Sequence, residues 1–314
     1  MSFTPFDPLD FKNTNSNGAA FNALKREIRN ILSSYVGWYD PFCELIQNAL
    51  DAVEARAQAE ASAGTSQNYK PKISIRIDLD GNSLTVSDNG IGLDKEKFEQ
   101  FLAPNFSFKT GNTRGHKGVG ATYVAYGFNY MRITTKVPGF EASGRIINAR
   151  NWLKEETNGA NPKVEPDTSK LVDDTFTTFD RGVSITVRFD GSTHPRQLSW
   201  LQASDASTWQ KILYIKTGLG SVISDATVHV QITAIAKGKE TNFTKVGTKY
   251  PWLHENAAKK SSYNALIKAQ DDLYAKYGHG RKCLTSTAIL TSYSKRGMRI
   301  NLKRYWAMSS MKRN

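Results

Sequence analysis

The 314 residues are 39% hydrophobic and carry 42 Lys and Arg against 29 Asp and Glu, a formal charge of +13, enough apolar content for one large or two ordinary domains with real cores. No apolar run approaches the ~20 residues of a membrane span. The amino-terminal MSFTPFDPLDFKNTNSNG is polar and proline-broken, unlike a secretory signal, and two cysteines, Cys43 and Cys283, exclude a disulfide framework or a metal knuckle. A reducing cytosol is the expected location.

Along the chain, Phe21, Leu24, Ile28, Ile31 and Leu32 recur at helical spacing, so residues 19–35 are expected to form an amphipathic helix. After Gly37 and Asp40-Pro41 comes PFCELIQNALDAVEARAQAEA, rich in strong helix formers, followed by a polar loop from Gly64 to Lys70. Ile73, Ile75, Ile77 and Leu79 alternate as in a half-buried strand, Asp80-Gly81-Asn82 supplies a turn, and Leu84–Ser87 returns. Asn89–Gly120 is glycine-rich. A helix is expected at Val119–Tyr126 and strands at Tyr130–Thr135, Gly144–Asn148 and Val183–Phe189, with an exposed loop over Lys154–Asp174. Beyond Asp190 a helix at 207–216, a strand at 226–236 and a helix at 257–277 read as a second, smaller α+β unit. From Pro251 to Asn314 thirteen Lys and Arg face three acids, Glu255, Asp271 and Asp272. That excess of ten can attract phosphate backbones or anionic surfaces; it serves equally as a solubilising face or a patch for an acidic partner.

Three stretches carry chemistry. Glu44, Asn48 and Asp51 lie four and three residues apart, which puts them on one helical face. An amide oxygen at Asn48 can ligate Mg²⁺, and Glu44, a turn earlier, can take a proton from a water attacking a phosphoryl group. Taken alone the stripe also fits a solvated helix surface. Second, Ser87-Asp88-Asn89-Gly90-Ile91-Gly92 closes a strand. A buried carboxylate there can accept from the exocyclic amine of adenine, while Gly90 and Gly92 let backbone approach the base; a plain Asn-Gly turn explains the glycines but not the acid. Third, Lys109-Thr110-Gly111-Asn112-Thr113-Arg114-Gly115-His116-Lys117-Gly118-Val119-Gly120 runs into a helix, where exposed amides and the helix dipole favour phosphate. Lys109, Arg114 and Lys117 can neutralise phosphate charge. The spacing matches neither a Walker A loop nor a Rossmann fingerprint, and a flexible glycine-rich loop is the alternative.

In this order and at these distances the three stretches resemble the GHKL superfamily, which includes DNA gyrase, the ninety-kilodalton heat-shock chaperones, histidine kinases, MutL and the Microrchidia ATPases. The resemblance covers roughly residues 20–190, and Glu44-Leu45-Ile46-Gln47-Asn48-Ala49-Leu50-Asp51-Ala52 is most similar to the chaperone, MutL and Microrchidia versions. It implies an α+β fold: a two-layer α/β sandwich of the Bergerat type over residues 1–195, followed by a smaller basic α+β unit, transducer-like, over 196–314. It further implies Glu44 as general base, Asn48 as Mg²⁺ ligand, Asp51 beside the ribose and base, and Asp88 as adenine reader flanked by Gly90 and Gly92. A lid from about Leu93 to Lys117 follows, with Gly115, Gly118, Val119 and Gly120 on the phosphates. A carboxylate at 44 and no histidine in an acceptor helix set the chain apart from the kinases. Where relatives often place Gly-Thr on a late strand, this chain has Gly182-Val183-Ser184-Ile185-Thr186; Val183 cannot hydrogen-bond, leaving Ser184 or Thr186 as substitutes. Relatives that hydrolyse ATP commonly receive a lysine from a following domain, for which Lys216 is the candidate; an ordinary surface lysine is the other reading.

The implied function is Mg²⁺-dependent ATP binding and slow hydrolysis that orders the lid and drives homodimerisation, with residues 1–35 able to cross to the second subunit or to pack on their own domain. The clients that fit are a nucleic acid reached through the basic carboxy-terminal region, an unfolded protein as for a chaperone, or a larger complex in antiviral defence or DNA restriction in which this chain is a regulatory subunit.

Overall fold

The computed structural model describes residues 3–7, 18–65, 68–102, 119–155, 161–220 and 228–246. The two expected amino-terminal helices are present as α1 (Gly18–Ser33) and α2 (Asp40–Ser62). Pro41 opens α2, where its missing N–H costs nothing, and Asp40 draws the preceding loop in by accepting from Gly37 N at 2.7 Å. The hairpin β1 (Lys72–Asp78) and β2 (Ser83–Asp88) follows, then a short α3 (Lys95–Gln100) that lies within the stretch read only as glycine-rich. Asp94 caps α3 by accepting from Lys97 N at 2.9 Å. Next come α4 (Val119–Tyr126), β3 (Tyr130–Val137), β4 (Phe140–Ile147) and α5 (Ala149–Lys154).

The stretch read as an exposed loop, Lys154–Asp174, is partly built into the fold. It carries β5 (Glu165–Pro166) and leads into α6 (Asp174–Thr177), and Val164, Asp167 and Asp173 are buried. Asp167 explains why: its 3.6 Å ion pair with Arg132 anchors the segment, while that arginine also donates to Lys170 O at 2.8 Å and Ser169 O at 2.7 Å. The order ends with β6 (Gly182–Arg188), α7 (Ala206–Lys216), β7 (His229–Ala236) and β8 (Lys239–Val246).

All eight strands form one mixed sheet in the order β5-β4-β3-β6-β2-β1-β7-β8, antiparallel except where β7 lies parallel to β1. The expected boundary at 195/196 is therefore corrected: β7 pairs with β1 from Lys72↔His229 to Asp78↔Ile235, and the chain divides instead at Thr248/Lys249. The helix expected at 257–277 lies outside the described residues. No helix among the described residues is long and apolar enough to cross a membrane.

Strand alternation sorts the sheet into two faces. Ile73, Ile75 and Ile77 of β1 register with Val86 and Leu84 of β2, with Val230, Ile232 and Ala234 of β7 and, through β2, with Ile185 and Val187 of β6. This apolar face meets α2 and α7: the Phe42 ring lies 6.4 Å from Phe189 and 5.5 Å from Trp209, and Phe42 and Trp209 are wholly buried. The opposite face is a ladder of hydroxyls, buried except for the half-buried Ser143, with Thr85–Thr186 at 2.9 Å, Ser87–Ser184 at 2.8 Å and Thr134–Ser143 at 2.8 Å. Each buried oxygen thus meets a partner across a strand.

The described residues of the amino-terminal segment make contacts within the chain. Leu24 and Ile28 are buried, Arg29 Nε donates to Leu153 O at 2.7 Å, and Lys25 Nζ sits 4.4 Å from the centre of the Trp152 ring. Phe3 and Phe6 lie edge-on to Phe98 at 5.5 and 6.0 Å.

Candidate functional site

The site is built from three elements on the helical side of the sheet. On α2, buried Phe42, Leu45, Ile46, Ala49, Leu50 and Val53 face the core, which turns Glu44, Asn48 and Asp51 onto the helix's other, half-buried side. Glu44 Oε1 accepts from the Tyr35 hydroxyl at 3.0 Å. Its Oε2 lies against Gly120 in the first turn of α4, so closely that a Cβ on residue 120 would collide with it. Val119 and Gly120, expected at the phosphates, are thus brought to the same turn of α2 as the expected base. Asp51 accepts from Gln47 Nε2 at 2.8 Å.

The second element is the loop that leaves β2. Asp88 is 4% exposed and accepts from Gly90 N at 2.8 Å. Burial pushes its carboxyl up to about 7, against the lowering effect of hydrogen bonds from the Gly90 and Val183 amides. Ile91 N donates to Ala52 O of α2 at 3.1 Å, and this close approach explains Gly90: a Cβ there would fall on the Ala52 backbone. Gly92 backs onto Lys136 O of β3. Because the helix backbone cannot give way, Gly90→Ala is expected to lower the denaturant-unfolding free energy by about 1–3 kcal/mol; an unchanged midpoint and slope would show that the loop moves freely off α2.

Residues with no signal in the sequence hold this loop. Arg56 of α2 donates to Asn89 O at 3.0 Å and grips Asp180 with two bonds of 3.1 and 2.9 Å, while its guanidinium stacks 4.6 Å over Tyr69. Asn89 accepts from Lys72 N at 2.7 Å and donates to Lys70 O at 2.9 Å. One arginine therefore joins α2, the Asp88 loop and the entry to β6. Arginine in a helix is too ordinary for spacing alone to single it out.

The expected contact from Ser184 is corrected. Asp88 registers with Val183, and Ser87 with Ser184, so Ser184 points to the other face, where its hydroxyl meets Ser87 at 2.8 Å. Thr186 shares that face. On the Asp88 side Val183 registers with Thr135 of β3, whose hydroxyl is buried and bonded to Leu93 N at 2.8 Å and Leu93 O at 3.1 Å. The hydroxyl nearest in register thus braces the loop after Gly92.

Lys216 ends α7 beside the first turn of α2. Its carbonyl accepts from Cys43 Sγ at 3.3 Å, and its ammonium lies 5.4 Å from the centre of the Tyr39 ring. Burial holds its amine below the ordinary lysine value. Lys109, Arg114, Gly115, Lys117 and Gly118 lie outside the described residues.

Residues 41–139 match the family model of histidine kinase-, DNA gyrase B-, and HSP90-like ATPases, a span that encloses Glu44, Asn48, Asp51, Asp88, Gly90, Gly92 and Gly120. The chain is also similar to chaperone proteins HtpG: 46% identical over 55 residues to that of Campylobacter jejuni, 17% of this chain and 9% of the relative. To that of a Sulfurovum species it is 44% identical over 55 residues, again 17% and 9%, and to that of Azorhizobium caulinodans 41% over 61 residues, 19% and 10%. The chain thus covers about a tenth of the length of the curated relatives it matches.

Proposed function

We propose, from the premise that residues 41–139 are a domain of the GHKL ATPase superfamily, that this chain binds ATP with Mg²⁺ and hydrolyses it slowly as a conformational switch. The observation that carries the reading is convergence. The loop after Asp88 and the first turn of α4 both come down on α2, the helix that carries Asn48 and Asp51, through Ile91 N on Ala52 O and through Gly120 on Glu44.

In this reading Asp88 accepts from the adenine amine, the kind of desolvated polar match that discriminates steeply between bases. Gly90 and Gly92 keep the loop thin beside the ring. Asp51 faces the ribose and base side. Asn48 offers a neutral amide oxygen one turn from Glu44, a donor suited to a hard cation that keeps much of its water; Mg²⁺ supplies charge neutralisation on the phosphates. Glu44 orients the attacking water and takes its proton. The helix start at Val119–Gly120, with Lys109, Gly115, Lys117 and Gly118 before it, binds phosphate through backbone amides and cationic side chains, and Lys216 contributes a further cation. Turnover is set by rearrangement of the chain rather than by chemistry, with ATP favouring a homodimer.

The similarity to HtpG supports a chaperone-type or regulatory ATPase. The carboxy-terminal excess of ten positive charges supports an anionic partner, nucleic acid included, and with it a DNA-associated or defence-type complex. Steady-state ATPase assays combined with light scattering test this. Slow, Mg²⁺-dependent turnover and a doubling of mass with a non-hydrolysable analogue are expected. Stimulation by DNA that falls steeply with salt supports the nucleic-acid partner; stimulation by unfolded protein supports the chaperone context. No turnover with Mg²⁺ present would contradict hydrolysis.

A further inference from the structure

Tyr35 belongs to neither neighbouring helix. It sits in the connection between α1 and α2, nine residues ahead of Glu44, to whose Oε1 its hydroxyl donates at 3.0 Å. Its ring is stacked on Tyr123 of α4, with centroids 4.0 Å apart and planes 9° apart. The stack fixes the plane of the ring and with it the direction of the hydroxyl. The other carboxylate oxygen, Oε2, lies against Gly120, one turn before Tyr123 on the same helix. The carboxylate is therefore located at both of its oxygens, one by a phenol and the other by the bare backbone of a glycine.

We propose that Tyr35 is a positioning residue for Glu44: its hydroxyl fixes the carboxylate rotamer and favours the ionised, proton-accepting form, while Tyr123 holds the Tyr35 ring in place. A hydrogen bond donated to a carboxylate stabilises its charged state. It also turns the second oxygen toward the start of α4, the side on which the proposed reaction takes place. Burial, and secondarily the Glu44 charge, push the Tyr35 hydroxyl well above the ordinary phenol range, so it remains a donor wherever the enzyme works. The same contact joins three parts of the chain: the segment after α1, the base on α2, and the helix that starts at the phosphate-binding glycines.

The proposal rests on the reading of Glu44 as general base, and the test separates the two. Tyr35→Phe keeps the stack and removes only the hydroxyl. It is expected to lower kcat about tenfold, to leave the affinity for a non-hydrolysable ATP analogue within about twofold, and to move the acid limb of the kcat–pH profile to higher pH, because Glu44 without its donor protonates more readily. In a Glu44→Ala background the same substitution is expected to add nothing to the residual rate. Tyr123→Leu, which removes the stack and leaves the hydroxyl, is expected to act in the same direction. Glu44→Ala inactive with Tyr35→Phe at the wild-type rate and acid limb would overturn this proposal alone. Glu44→Ala at the wild-type rate would overturn both it and the base. A fall in analogue affinity that matches the fall in kcat would make Tyr35 a structural clip and also overturn it.

Discussion

Glu44→Ala is expected to bind Mg-ATP within about twofold of wild type while kcat falls by about 10²–10³-fold, the scale on which a positioned proton acceptor accelerates a reaction. Two features of the site make the separation clean. The carboxylate stands on the outward side of α2, clear of the buried Phe42–Leu45–Ile46 face, so truncation opens no core cavity. Its oxygens contact Tyr35 and Gly120, neither of which is assigned to the base of the nucleotide, so the proposed recognition of adenine at Asp88 is expected to be left intact. Glu44→Gln, which keeps the shape and the bond from Tyr35 but cannot take a proton, is expected to be as slow as the alanine variant. Calorimetric binding beside single-turnover hydrolysis reads the two quantities separately; a variant that binds and still turns over at the wild-type rate would remove Glu44 from the mechanism.

Asp88→Asn is expected to lower ATP affinity by about two orders of magnitude or more, as when a buried acceptor is replaced by a group that leaves the ligand donor mismatched. It carries a second signature of opposite sign. The Asp88 carboxyl is pushed up to about 7 by burial, whereas an unfolded aspartate titrates near ~3.9. The folded chain therefore binds this proton more tightly than the unfolded chain. The associated stability is full below about pH 4 and is lost as pH rises through about 7. The asparagine variant escapes that loss, so without nucleotide its melting temperature is expected to exceed the wild type's by about 2–4 °C at pH 8 for each kcal/mol recovered, with the difference shrinking toward pH 5. The wild type's affinity for ATP is expected to weaken between pH 8 and 6 as the carboxyl takes up its proton. Thermal melts and binding titrations across that range check both signs. A variant that melts below wild type at pH 8 would mean that Asp88 is held charged by a partner.

What the sequence made legible follows from which contacts are local. Glu44, Asn48 and Asp51 share a helix, so spacing alone sets them on one side of it. Asp88 could be placed because it ends an apolar strand just before Asn-Gly, and its burial is what that position entails. The long-range pairings were not legible. β8 reads KETNFTKV, without apolar alternation, and β7 joins β1 across about 150 intervening residues; nothing local announces either, which is why the boundary was expected too early. Ser184 shows how a correct element can still give a wrong site. The strand at Val183–Phe189 was expected, but its face depends on the register with β2, and Asp88↔Val183 sends Ser184 the other way. Tyr35, Arg56 and Thr135 act through tertiary contacts from a loop, a helix and a neighbouring strand, and no periodicity marks them.

The central claim is that α2, the Asp88 loop and the start of α4 hold one molecule of ATP. Isothermal titration of the full chain with a non-hydrolysable ATP analogue and Mg²⁺, repeated with the guanine counterpart, tests it most directly. Saturable binding of the adenine analogue at one site per chain, lost in Asp88→Asn and not shared by the guanine nucleotide, is the expected result. No binding at millimolar nucleotide, or equal affinity for the two bases, would contradict it.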